Sequence, residues 1–456
     1  MKFRLTWLLI LIALLFLSWR PVPAASEDEL LNRIEQLERE LNDLKKELQK
    51  VKKEKAKEVE VRAKEKEAFV EKGKKGGIMI GGFEFIPFGF FKVDASYDTS
   101  ETSHGNFVPW ILQETDSPAN YKSQSRPNND EFNLTANQTR FDLRVIAPEY
   151  EVIELSALFE MDFYGGTSPE HGAENKPIPL IRHAFIEGKY DTWGFLAGQT
   201  HDPISLQGPD TLDYFYRWDC GNIGYRRPQI RIGKDWPVSD GRKLFTQGGV
   251  MRTVADNFAI TKEDVLQKGG EDAGWPTTWA RLGYSMPLFN KELLIALSGH
   301  YGKEEVRFGD NDHQYFKTWS GNLEVVIPLP KGLSIKGEGF IGENLDAYLG
   351  GIGQGVNRDL RRAIRAAGGW VQLGWEVNPK LRFNAGYSID NPKDSDLNNN
   401  VNKENRSLNI SLWGNVYYNI LPKLTVALEV SKWRTEYKNG PDGDNLRTHL
   451  ATIYKF

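Results

Sequence analysis

The feature that most limits this chain is a two-residue alternation of apolar and polar side chains, sustained over segments too long for ordinary soluble strands. Phe91, Val93, Ala95 and Tyr97 interleave with Lys92, Asp94, Ser96 and Asp98. Leu381, Phe383, Ala385, Tyr387 and Ile389 interleave with Arg382, Asn384, Ser388 and Asp390, and the same pattern recurs around 140–146, 153–162 and 408–418. A period of two puts successive side chains on opposite faces of a strand. Runs of 9 to 11 residues are what a tilted strand needs to cross a bilayer, against five or six in a typical soluble sheet.

Sixteen segments of this kind are expected, at 88–98, 137–147, 151–163, 178–190, 193–202, 220–234, 243–255, 277–287, 292–302, 316–328, 332–344, 366–378, 380–390, 406–420, 423–436 and 446–456. Their connections alternate between long and short. Proline closes several of the short ones, as in Asn378-Pro379-Lys380 and Leu421-Pro422-Lys423, because proline cannot continue a ladder. The expected fold is an all-β transmembrane barrel of about sixteen antiparallel strands over 87–456, with short periplasmic turns and long outer loops. The last strand ends on Phe456, a terminal aromatic like the one by which outer-membrane barrels are recognised for assembly. A soluble sandwich would have to bury the charge of the polar face. Ile78 to Phe85 is a further apolar stretch, read with the 73–86 joint as a linker, plug or strand extension.

Ahead of the barrel lie two segments of different kind. Residues 1–25 carry a basic start, an apolar run from Leu5 to Trp19 and small residues at Ala24-Ala25, the order of a secretory signal peptide. Over 26–72, Leu30, Ile34, Leu37, Leu41, Leu44, Leu48 and Val51 are spaced alternately by four and three. That heptad seam, two apolar residues in seven, predicts an α-helical coiled-coil stalk in the periplasm. A core-facing helix would carry a wider stripe.

Several function classes find no support. Seven histidines are scattered, with no Gly-x-Ser-x-Gly turn and no His-Glu-x-x-His, so no enzyme is expected. One cysteine, Cys220, rules out a multi-cysteine metal site, and a net charge of −4 offers no basic surface for nucleic acid. No metal and no cofactor are expected. The aspartates around 310–312 and 442–444 read as turn chemistry rather than calcium loops.

A sixteen-stranded barrel encloses water, so passive diffusion of small hydrophilic solutes is the expected function. Selectivity then rests on lumenal charge. The candidate pore-lining residues are Lys92, Arg140, Arg144, Arg182, Arg217, Arg227 and Arg231, with Asp94, Glu160 and Asp162. The cluster Arg217, Arg226, Arg227, Arg231 favours anions such as carboxylates, which guanidinium forks grip bidentately. Salt bridges across the lumen, such as Arg140 with Glu160, are the competing reading. Arg358, Arg361, Arg362 and Arg365 have the spacing of one helix face in an outer loop.

Phe88-Gly89-Phe90-Phe91-Lys92-Val93-Asp94, Gln138-Thr139-Arg140-Phe141, Glu160-Met161-Asp162-Phe163-Tyr164-Gly165, Arg182-His183-Ala184-Phe185 and Leu196-Ala197-Gly198-Gln199-Thr200 follow one another in an order that resembles porins related to the phosphate-selective porins, dicarboxylate-channel branch. The resemblance covers about 86–205. It implies a homotrimer in outer-membrane lipid, some members with a periplasmic coiled coil, and anion-guiding roles for Arg140 and Arg182. The lysine-and-arginine ladder of strict phosphate channels is not evident. A second functional reading is structural: about 45 helical residues reach roughly 70 Å, enough to bring the stalk to peptidoglycan and tether the barrel to the cell wall.

Overall fold

A computed structural model describes residues 27–73, 76–116, 124–127, 129–148, 150, 152–165, 177–255, 269–309, 311–400 and 405–456. The signal-peptide segment lies outside them. The chain divides into two compact units, up to Glu71 and from Lys72 onward. In the first, α1 (Glu27–Phe69) is one continuous helix. Leu41, Leu44, Leu48 and Val51, successive members of the heptad seam, all stand exposed on it.

The second unit is a closed antiparallel barrel. Its strands are β1 (Phe83–Asp98), β2 (Glu131–Thr135 and Arg140–Ile146), β3 (Glu154–Asp162), β4 (Leu180–Tyr190), β5 (Trp193–His201), β6 (Arg226–Ser239), β7 (Arg242–Met251) and β8 (Thr277–Leu288). They continue with β9 (Lys291–Gly309), β10 (Asp312–Pro328), β11 (Leu333–Glu343), β12 (Arg365–Asn378), β13 (Leu381–Pro392), β14 (Arg406–Leu421), β15 (Leu424–Tyr437) and β16 (Gly443–Lys455). Each strand pairs with the next, and β16 returns to β1 in the register Arg447↔Asp98 to Lys455↔Phe90, which leaves no free edge.

Alternation sorts the two faces as expected. Leu282, Leu297 and Leu323 face one another across β8, β9 and β10 on the outside, and all three are exposed. Their chain neighbours Arg281, Asn322 and Glu324 are buried within. Exposed aromatics gather toward both ends of the wall. Trp193, Trp236, Trp375 and Tyr418 lie near the short turns, and Tyr97, Tyr301 and Tyr315 near the long loops. Two aromatic girdles around an apolar band are the outer surface of a bilayer-spanning barrel.

Four expectations change. The first strand starts at Phe83, and Ile78–Ile80 folds back against Phe83–Phe85 as a short hairpin. The loop expected at 303–315 is replaced by continued strands, because Glu304, Val306 and Phe316 keep the inward side of the alternation buried up to the turn after Gly309. The strand expected from 220 begins only at Arg226, since 202–225 runs inside the barrel. The arginine run 358–365 is not a helix. Asn357 accepts backbone hydrogen bonds from Asp359 and Leu360 through its side chain, which makes a turn, and Val356–Asn357 pairs with Arg362–Ala363. Arg361 then pairs with Asp312, while Arg362 and Arg365 pair with Asp396.

Candidate functional site: a loop that circles the lumen

The connection 202–225 is rich in aromatic and charged residues, unlike a solvent-facing loop tip. It leaves β5 under a buried clamp, where Arg227 Nε lies 2.8 Å from Asp202 and its Nη2 donates to the Ala347 carbonyl at 2.7 Å. It then follows the inner wall. The Ile204 carbonyl accepts from Ser298 of β9 at 2.6 Å, and the Leu206 amide donates to Glu324 of β10 at 3.2 Å. The Ser205 hydroxyl donates to Glu338 of β11 at 2.6 Å, and the Asp210 amide donates to Gln372 of β12 at 2.7 Å. The Asp210 carboxylate meets Lys336 of β11 at 2.8 Å and Arg382 of β13 at 3.9 Å. Asn415 of β14 donates to the Asp210 carbonyl at 2.7 Å.

Glu429 of β15 is the main anchor. It accepts from the Thr211 hydroxyl and the Leu212 amide, both at 2.8 Å, from Arg217 at 2.7 Å and from Asn415 at 3.0 Å. The guanidinium of Arg217 lies between the rings of Trp413 and Trp433, at 4.9 and 4.5 Å. Lys92 of β1 donates to the Leu212 carbonyl at 2.9 Å. Tyr214 and Tyr216 then cover the opposite wall, where Arg182 reaches the Tyr214 hydroxyl at 3.4 Å and Arg140 the Tyr216 hydroxyl at 3.3 Å. At Gly221 (φ 101°) the loop presses on β12 and β13 so closely that a Cβ would strike the Gly369 carbonyl.

Two further loops complete the constriction. Val108 donates its amide to Asp213 at 3.1 Å, and Val108 and Ile111 pack with Cys220 and Trp433. From the loop between β11 and β12, Leu345, Ala347 and Tyr348 pack with Ile204, Ile223, Met251, Trp279 and Phe340. The lumen is therefore not wholly aqueous. On the flank of β7, β8 and β11 it holds a packed apolar cluster, because the inward positions Met251, Trp279 and Phe340 meet apolar loop residues there. On this loop Leu206 is exposed, and Gln207, Gly208, Asp210 and Tyr216 are only partly covered.

Each sequence-predicted site residue faces this interior, and most are paired. Arg140 meets Glu160 at 3.3 Å; Arg182 holds Glu160 at 2.6 Å and Asp162 at 2.7 Å. Lys92 meets Asp94 at 3.0 Å, and Arg144 meets Glu187 at 3.2 Å. The salt-bridged reading of Arg140 with Glu160 is thus the geometry that forms. Arg217 and Arg227 brace the loop and do not line the passage. Two cations differ. Arg231 lies over the Trp279 ring and donates only to Gln229 and the His201 carbonyl. Arg226 stacks on Tyr225 and Trp218, and both its Nη atoms are buried without a partner. Among the described residues, neither has a carboxylate partner. Sequence reasoning missed Asp202, Asp210, Tyr214 and Tyr216. The signal for the last three was the aromatic and acidic density of 210–219; Asp202 carried none.

No family model matches this chain, and no curated protein matches its sequence. Among solved structures it is similar to the outer membrane channel DcaP of Acinetobacter baumannii, with TM-score 0.64 and 16% identity, covering 85% of this chain and 99% of that one. It is also similar to an anion-selective porin from Comamonas acidovorans, with TM-score 0.51 and 11% identity, covering 82% and 100% of the two chains. A third is OmpF of Salmonella typhi, with TM-score 0.50 and 12% identity, covering 82% and 98%. At such identities the likeness is one of fold: the chain has the barrel of outer-membrane porins.

Proposed function

We propose that the chain is an outer-membrane porin that lets small hydrophilic solutes diffuse passively, with a preference for anions such as carboxylates. The observation that carries this reading is the unpaired arginines of the constriction. Its carboxylates at Glu160, Asp162 and Glu187 are each engaged by an arginine, whereas Arg226 and Arg231 have none. In a narrow, low-dielectric passage two guanidinium groups without a carboxylate favour anions and oppose cations. In planar bilayers under a KCl gradient, the reversal potential should show chloride preference. Replacing Arg231 with glutamine should move it toward zero, and clear cation preference in the wild type would refute the reading.

We read α1 as a periplasmic coiled coil joining copies of the chain in a homotrimer. Its exposed Leu41, Leu44, Leu48 and Val51 support this, since seams so narrow are buried by identical neighbours. On the barrel, β3 and β5 have only 9 residues each, and beside them lies an apolar recess of about 340 Å³ lined by Phe159, Ile186 and the small Ala157, Ala184 and Ala197. A low, apolar flank suits contact with a second barrel. Deleting residues 27–72 should leave single-channel conductance unchanged and lower the temperature at which the oligomer dissociates on native gels. Loss of conductance on deletion would favour a different role for the helix.

A further inference from the structure

We propose that the barrel holds a second anion site, separate from the constriction, in the vestibule at its short-turn mouth, and that it takes small organic anions with two or more carboxylates. A cavity of about 570 Å³ opens there. Its roof is the underside of the constriction loop: Leu212 packs on Tyr417 and Ile453, both of which line the cavity. Its walls carry three cations, Lys380, Arg382 and Lys455, and one acid, Glu376. That acid is already engaged, since Lys291 lies 2.7 Å from it.

The cations are not engaged to the same degree. Arg382 lies over the Tyr417 ring at 4.3 Å, which fixes the plane of its guanidinium. The carboxylate within 4 Å of it, Asp210, is 3.9 Å away and is held by Lys336 at 2.8 Å, and Glu376, opposite it in the β12–β13 register, is the acid held by Lys291. The fork of Arg382 is therefore open toward the cavity. Among the described residues, the side chains of Lys380 and Lys455 make no ion pair. An arginine with a fixed plane binds one carboxylate through two parallel hydrogen bonds. Two ammonium groups on the same cavity then favour further carboxylates on the same molecule. The volume falls within the range of small-molecule sites.

This site rests on the reading of the chain as a channel, though not on the selectivity of the constriction. The probe is benzene-1,3,5-tricarboxylate, added to one side at a time of single channels. Their orientation is read from the side on which an Asp240→Cys variant, in the β6–β7 turn, reacts with an impermeant thiol reagent. Block should be at least about tenfold stronger from the short-turn side. The triple variant K380Q/R382Q/K455Q should raise the half-blocking concentration about tenfold; the double variant K380Q/K455Q, which keeps the contact of Arg382 with Asp210 of the constriction loop, should raise it severalfold while leaving the KCl reversal potential anion-preferring. Equal block from both sides, or unchanged block in the triple variant, overturns the site and leaves the constriction reading standing. A cation-preferring reversal potential with sided block intact overturns the constriction reading alone. Should the chain not conduct, calorimetric titration of the full chain in detergent decides: saturable binding weakened about tenfold by the triple variant supports the site, and equal binding overturns it.

Discussion

Replacing Glu429 with alanine should open the channel, with single-channel conductance rising severalfold and current noise increasing. Glu429 accepts three hydrogen bonds that tie the loop to β15, beside a fourth from Asn415 of β14, and one of the three comes from Arg217, which is completely buried. Removing one partner of a buried ion pair leaves the other charge unpaired in a poor dielectric, at a cost of about 3–5 kcal/mol. The barrel wall does not depend on this contact, since its ladders are closed without it. The least costly response is for Arg217 to swing out into water, taking 211–217 with it. Glu429→Gln keeps an acceptor but loses the charge, and should lie between wild type and alanine. Conductance unchanged in Glu429→Ala would show that the loop is not held as described. Gly221→Ala tests the same contact from the other end of the loop.

The second large effect is expected on the outside. Leu297→Arg places a guanidinium at the centre of the row Leu282–Leu297–Leu323, which would face hydrocarbon. On the lipid face near the bilayer midplane such a charge costs about 2–4 kcal/mol. Urea titration of the barrel in liposomes, followed by tryptophan fluorescence, should show that loss. Leu297→Ala, which keeps the surface apolar, should cost much less. Similar midpoints for the two variants would mean that this face is not in lipid.

The wall was legible in the sequence because a strand's side chains obey one local rule, repeated from strand to strand, although the faces of 178–190 and 243–255 do not sort cleanly on it. An even count lets the last strand pair antiparallel with the first, as β16 does with β1. The rule fails where a segment has no repeating geometry of its own. Residues 202–225 take their path from partners spread over most of the wall, such as Glu324, Glu338 and Glu429, and none of those is near in the chain. Lys92, Arg140 and Arg182 all turn inward, and only the folded wall shows that each has a carboxylate beside it. The run 358–365 misled for a related reason: helical spacing of arginines counts for little when the Asn357 side chain captures the next two amides. At 303–309 the alternation itself continued past the expected loop boundary, so the error there was in cutting short a signal that was present.

The strands also differ greatly in length. β9 has 19 residues and β10 has 17, while β3 and β5 have 9 each. At about 3.3 Å per residue, the longest runs some 60 Å and the shortest some 30 Å along the strand. The rim is thus cut obliquely, like the nib of a pen. The flank of β9 and β10 is long enough to reach well past a hydrocarbon layer of about 30 Å, whereas strands as short as β3 and β5, once tilted, scarcely cross it.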